Sequence, residues 1–126
     1  MTKAIRKTAP EPLAPISFEI PEPHQYTLPN GLRVIIFEDK RLPLVSYRMA
    51  FFSGDVDDPE GKTGLMSAMA SMLNEGTLNR SSKQLADEIE RLGANLSASA
   101  SDDFLIVAAS ALSLYSSAVL NLLFEV

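Results

Sequence analysis

The spacing of apolar residues changes along this chain, and the order of these changes constrains the fold more than any other feature. Apolar residues alternate with polar ones in residues 44–52 and again in residues 95–101. Between these segments and after them, apolar residues recur at near-helical spacing. Together with three further strand segments, two before residue 44 and one after residue 101, the predicted order is three strands, two helices, two strands and a helix. It predicts an α+β fold, with helices packed on one face of a mostly antiparallel sheet.

The predicted strands are bounded by turn residues. Residues 26–28 and 32–38 flank Pro29-Asn30-Gly31, where Asn and Gly tolerate a positive φ, so the two segments are expected to form a hairpin. The third strand is expected over residues 44–52. Strictly alternating residues 95–101 predict a half-buried strand, and residues 104–109 predict a more continuously apolar one.

Two helices are predicted between the third and fourth strands. Residues 63–75 are predicted to form the first. Its apolar stripe is interpreted as core packing and consists of Leu65, Met69, Met72 and Leu73, with Met66 beside it. The second begins with Ser81 as N-cap and with Gln84 three residues later, the spacing of a capping box. A last helix is expected to begin near residue 113.

The distribution of proline predicts the domain organisation. All eight prolines precede residue 60, and five of them fall in residues 1–23. Proline donates no backbone hydrogen bond and disfavours helix in the residue before it, so residues 1–23 are expected to form an extended arm. Residues 24–126 are expected to be the N-terminal part of a larger domain, because the last helix reaches Val126 without a cap or stop signal.

Composition excludes several classes of function. The net charge is −5 and no basic cluster is present, which argues against a nucleic-acid partner. The chain has no cysteine, so disulfide and thiolate chemistry are excluded. No apolar run approaches the roughly 20 residues of a membrane span. Residues 1–7 are not an intact secretory signal, so the compartment stays open: periplasmic or exported if a signal has been removed, and otherwise cytoplasmic.

Five sequence blocks occur in register along residues 24–126, and together they resemble the pitrilysin/insulinase family (peptidase family M16), which includes the mitochondrial processing peptidases. The resemblance implies the half-domain fold of these metallopeptidases, which is LuxS-like. The blocks are Leu28-Pro-Asn-Gly-Leu-Arg-Val34, Leu42-Pro-Leu-Val-Ser46, Gly54 with Asp58-Pro-Glu-Gly-Lys-Thr-Gly-Leu65, Gly76-Thr77, and Leu92-Gly-Ala-Asn-Leu-Ser-Ala98.

The resemblance implies that a zinc site has been lost. In active members the helix carries His-x-x-Glu-His, whose two His bind zinc while the Glu acts as general base. Counting from both flanking blocks places these positions at Ser67, Ala70 and Ser71. The third ligand of active relatives, a Glu, is expected downstream of this sequence. The chain is therefore expected to have no catalytic residue, no metal ligand and no cofactor of its own, although active relatives bind zinc.

Three functions remain open from the resemblance. The first is a non-catalytic subunit that pairs with a zinc-bearing sister subunit in a heterodimer and helps enclose a peptide substrate, which adds as a strand to a sheet edge. The second is a structural scaffold without a peptide-binding role, like the core subunits of a respiratory complex. The third is an active metalloendopeptidase with an atypical site.

A few residues allow both a chemical and an ordinary structural interpretation. Ser67 and Ser71 would need a general base to act as nucleophiles, and no His is near in sequence, so they are interpreted as small helix-face residues. The small polar face that they form with Ala70 and Asn74 predicts close contact with another strand, domain or subunit, or the floor of a cavity. The alternative is an ordinary helix surface. The remaining candidates are interpreted as solvated rather than as metal ligands: His24, Asp57, Asp58 and Glu60.

Overall fold

A computed structural model describes residues 13–15 and 20–126 of the 126-residue chain. Most of the predicted Pro-rich arm, residues 1–12 and 16–19, lies outside the described residues, so the arm stays a prediction. The chain divides into two compact units, Met1–Asp39 and Lys40–Val126.

The first unit contains the predicted hairpin. Its strands β1 (His24–Thr27) and β2 (Arg33–Ile36) pair antiparallel. The connecting turn is closed where the Gly31 amide donates to the Leu28 carbonyl at 2.9 Å, with Gly31 at φ +88°. The hairpin prediction is confirmed, although β1 begins two residues earlier than predicted and β2 ends two residues sooner.

The second unit follows the predicted order of elements. Three short 3-10 turns, Asp55–Asp57, Leu73–Glu75 and Ser113–Tyr115, join or extend the regular elements. The Ser81–Gln84 capping box is confirmed at the start of the second helix. The strands and helices are β3 (Leu44–Phe51), α1 (Leu65–Met72), α2 (Ser82–Arg91), β4 (Asn95–Ala100), β5 (Leu105–Leu112) and α3 (Ser116–Glu125).

Strand β5 lies between β3 and β4 in a fully antiparallel three-stranded sheet. The register pairs Ala109 with both Tyr47 and Leu96, so these side chains share one face of the sheet. Helices α2 and α3 bury their apolar sides on this face, which confirms the predicted α+β architecture. The buried core consists of Leu85, Leu92, Val107, Ala109, Ala111, Val119, Leu122 and Leu123.

Strand β5 is longer than the sequence predicted. It was expected over residues 104–109 but continues to Leu112, which pairs with Leu44 at the start of β3. The extra residues include Ser110, whose hydroxyl ends the apolar run that defined the prediction. Ser110 pairs with both β3 and β4, and Ala111 and Leu112 pair with β3, so backbone hydrogen bonds hold this segment extended.

The predicted packing of α1 is wrong for three residues of the apolar stripe, whereas Leu73, predicted in the same stripe, does pack against the core. Leu65, Met69 and Met72 were expected in the core, but they are 48%, 39% and 67% exposed. The buried residue of α1 is Ala70, 1% exposed, and α1 packs against β4. A methyl side chain allows a close approach of helix and strand, so Ala70 is turned inward. Ser71, on the same small face, is exposed.

None of the helices in the described part of the chain combines the length and the apolar character that a membrane crossing requires.

Candidate active-site helix

The loop before α1 is fixed to the turn between β4 and β5. The amides of Asp55 and Val56 donate to the carbonyl oxygens of Ser101 and Asp102, at 2.9 and 3.1 Å. Gly54 is buried at this contact, and a Cβ added to it would lie 2.3 Å from the Ser101 oxygen. No other residue type fits at this separation, so the glycine is required by the close approach of two backbone segments.

Asp58 caps the N-terminus of α1. Its carboxylate accepts from the amides of Gly64, Leu65 and Met66 at 2.6, 3.1 and 2.9 Å. The first amides of a helix have no partner within the helix, and a negative charge is favourable at this end. The sequence interpretation of Asp58 as a solvated loop residue is therefore wrong: its carboxylate is committed to the helix.

The other acidic residues of this loop differ in their contacts. Asp57 Oδ2 accepts from the Gly54 amide at 3.3 Å, whereas Glu60 is exposed. His24, the only histidine, is exposed on β1 in the first unit.

The predicted motif positions, Ser67, Ala70 and Ser71, carry hydroxyl and methyl groups that contact the protein itself. Ser67 Oγ donates to the carboxylate of Asp55, 3.0 and 3.1 Å from its two oxygens. Ser71 Oγ donates to the Ser67 carbonyl oxygen at 3.0 Å. Ala70 is fully buried. Both serine hydroxyls therefore already have acceptors, and the Ser67–Asp55 contact joins the helix to the preceding loop.

Asn74 lies one turn beyond these positions on the same side of the helix. Its Oδ1 atom is buried and accepts no hydrogen bond from the described residues. A buried acceptor without a donor costs about 1–3 kcal/mol, so the small polar face ends in an energetically unfavourable group.

Helix α3 holds the loop that follows α1. Glu125 accepts from the Thr77 hydroxyl at 2.7 Å and forms an ion pair with Arg80. The Thr77 hydroxyl oxygen in turn accepts from the amides of Asn79 and Arg80. The loop between α1 and α2 is thus closed on itself and fixed to the last helix.

The side chains at the predicted motif positions do not fit a zinc ion. Zinc takes imidazole nitrogen, thiolate sulfur or carboxylate oxygen in proteins. Ser67 and Ser71 offer neutral hydroxyls that already donate elsewhere, and Ala70 offers a methyl group. Within residues 13–15 and 20–126, no group of three or more His, Cys, Asp and Glu side chains is arranged to hold a metal.

Sequence reasoning missed the roles of Asp55 and Asp58. An acidic residue shortly before a helix is a common capping signal, so the role of Asp58 had a local indication. Asp55 meets Ser67 across twelve positions, and no local pattern reports that contact.

Solved structures of other proteins share this fold, and two of them are compared with this chain. A peptidase M16 inactive domain from Pseudomonas fluorescens superposes with a TM-score of 0.75 at 25% identity, covering 82% of this chain and 26% of its own. The periplasmic protease PqqL from Escherichia coli superposes with a TM-score of 0.76 at 18% identity, covering 82% of this chain and 12% of its own. This chain therefore spans about a quarter or less of either relative.

Sequence comparison identifies the family of this chain. No curated protein matches the chain at a significant level. The family model described as Insulinase (Peptidase family M16) matches residues 33–126, which include α1, its capping loop and the whole three-stranded sheet. The chain belongs to the insulinase family of peptidases, peptidase family M16.

Proposed function

We propose that this chain belongs to a non-catalytic family member, the partner of a zinc-bearing sister subunit that together with it encloses a peptide substrate. The observation that carries the proposal is the chemistry at Ser67, Ala70 and Ser71. Catalysis at this helix needs two imidazoles for the metal and a carboxylate for the water proton. A helix face of two committed hydroxyls and a methyl supplies neither.

The related structure from Pseudomonas fluorescens adds support, since it is itself described as an inactive domain. That description concerns a different protein, of which this chain covers only 26%. Inactivity, a partner subunit and substrate binding are accordingly proposals for the present chain.

The test of inactivity uses the full-length protein alone and together with its candidate sister subunit. Bound zinc is measured by elemental analysis, and peptide hydrolysis is followed with a quenched fluorescent peptide. The isolated protein is expected to carry no stoichiometric zinc and to show no hydrolysis. The mixture is expected to cleave faster than the sister subunit alone. Stoichiometric zinc together with hydrolysis by the isolated protein would refute the proposal.

Peptide binding is proposed to occur at β4. This strand is an edge of the sheet formed by the described residues, and it contacts α1. A peptide that pairs with β4 would gain backbone hydrogen bonds beside the motif face without requiring particular side chains.

Backbone methylation of the peptide tests this mode. A peptide methylated on alternate amides loses the donors that strand pairing needs, whereas methylation of the other alternate set leaves them intact. The two methylated peptides are therefore expected to differ in affinity by about tenfold or more, since each lost hydrogen bond contributes about 1 kcal/mol. Equal affinities would exclude addition as a strand.

A further inference from the structure

A rigid apolar surface with an acidic border lies at the end of the sheet where β3 finishes and β5 begins. Phe52 is 89% exposed and Val56 is 73% exposed. The Phe52 ring rests against that of Phe104, with centroids 5.1 Å apart and planes tilted by 49°. Asp102 and Asp103 form the adjacent turn and are exposed. These five residues are called the Phe52 patch.

The Phe52 patch is preorganised. Hydrogen bonds from the Asp55 and Val56 amides to the Ser101 and Asp102 carbonyls fix its two loops together. Gly54 permits that contact at a separation no side chain allows. Exposed apolar groups on a rigid support bind with little loss of conformational entropy, so a ligand that covers them keeps most of the gain from burial.

The charge of the Phe52 patch specifies its ligand. The carboxylates of Asp102 and Asp103 accept no hydrogen bond and form no ion pair with the described residues. Neither residues 53–61 nor residues 101–104 contain Lys or Arg. An apolar surface beside unpaired negative charge is complementary to a segment that combines apolar and basic side chains.

We infer that the Phe52 patch docks a polypeptide segment in which an aliphatic or aromatic side chain is flanked by Lys or Arg. The apolar side chain covers Phe52 and Val56, and the flanking cations meet Asp102 and Asp103. The inference does not depend on the proposed sister subunit, because a synthetic peptide is sufficient to test it.

The experiment measures fluorescence anisotropy of a labelled peptide in which leucine alternates with arginine, titrated with the 126-residue chain. Two further peptides replace every arginine by glutamate or every leucine by serine. The first peptide is expected to bind, and both replacements are expected to weaken binding by about tenfold or more. Failure of the first peptide to bind at millimolar protein overturns the inference, as does equal binding of the glutamate peptide.

Variants locate the interaction. Phe52→Ser is expected to weaken binding by about tenfold, because the exposed ring provides the apolar contact. The double variant D102N/D103N is expected to weaken it by about fivefold at low salt, and by less at high salt.

Matched controls separate the Phe52 patch from general properties of the chain. Phe124 is 60% exposed on α3, so Phe124→Ser removes the same type of side chain from another exposed position. D87N/E90Q removes the same charge from exposed positions on α2. Both controls are expected to bind within about twofold of the natural chain. If either weakens binding as much as the corresponding patch variant, the assignment to the Phe52 patch is overturned.

Discussion

Gly54 is the position where a single added carbon has the most readily calculated effect. In Gly54→Ala, the new Cβ would lie 2.3 and 2.4 Å from two carbonyl oxygens and 2.6 Å from a carbonyl carbon. Ordinary contacts between such atoms are about 3.5 Å, so the two loops must separate by about 1 Å. That shift stretches the hydrogen bonds of the Asp55 and Val56 amides from 2.9 and 3.1 Å beyond bonding distance.

The expected loss of stability combines two contributions. Overpacking costs about 1–3 kcal/mol, and two hydrogen bonds contribute about 1 kcal/mol each. Gly54→Ala should therefore lower the free energy of unfolding by about 3–5 kcal/mol and the melting temperature by more than about 10 °C. Urea unfolding followed by far-UV circular dichroism measures the change.

A second glycine provides the control. Gly61 lies in the same loop at φ +77°, and a Cβ there would meet nothing within 4 Å. Gly61→Ala should cost only about 1–2 kcal/mol, from the left-handed backbone conformation. Hydrogen exchange should accelerate at the Asp55 and Val56 amides in Gly54→Ala but not in Gly61→Ala. If the free energy of unfolding of Gly54→Ala lies within about 1 kcal/mol of that of the natural chain, and both amides stay protected, the close approach of the two loops is refuted.

Three further predictions follow from other contacts. Asp58→Ala should destabilise the chain by about 2 kcal/mol in urea unfolding, because the α1 amides lose a charged cap, and Asp58→Asn should cost less. Leu85→Ala should cost about 2–5 kcal/mol in the same assay, since Leu85 is fully buried. The hydrogen bond from Arg91 lowers the pKa of Glu88, so an NMR titration should give a low midpoint that Arg91→Ala returns toward the ordinary value. A lowered folded-state pKa stabilises the fold above the unfolded-state pKa, and this stabilisation should disappear as pH falls through the folded value.

Local sequence patterns predicted the elements well where short-range physics decides them. The capping box of Ser81 and Gln84 fixes the start of α2 through contacts three residues apart, and it is confirmed. The alternation in β4 is confirmed as well: Leu96, Ala98 and Ala100 are partly buried, and the residues between them are exposed. Each of these features depends on residues a few positions apart within one helix or strand, so the sequence displays it directly.

The candidate site was predicted only in part. Counting along the sequence assigned Ser67, Ala70 and Ser71 to one face of one helix, and that helix is present. It gave no indication that Ser67 binds Asp55 or that Asp58 caps the helix through three amides. Both carboxylates reach α1 from a loop whose path depends on its contact with a distant turn.

The sequence by itself determined the order of strands and helices and the α+β class, because these follow from spacing along the chain. Only the tertiary structure decided which face of α1 is buried. The larger side chains Leu65, Met69 and Met72 stay exposed, while Ala70 packs inward. Burial depends on what surface lies opposite, and β4 comes next to α1 only when residues far apart in sequence are brought together.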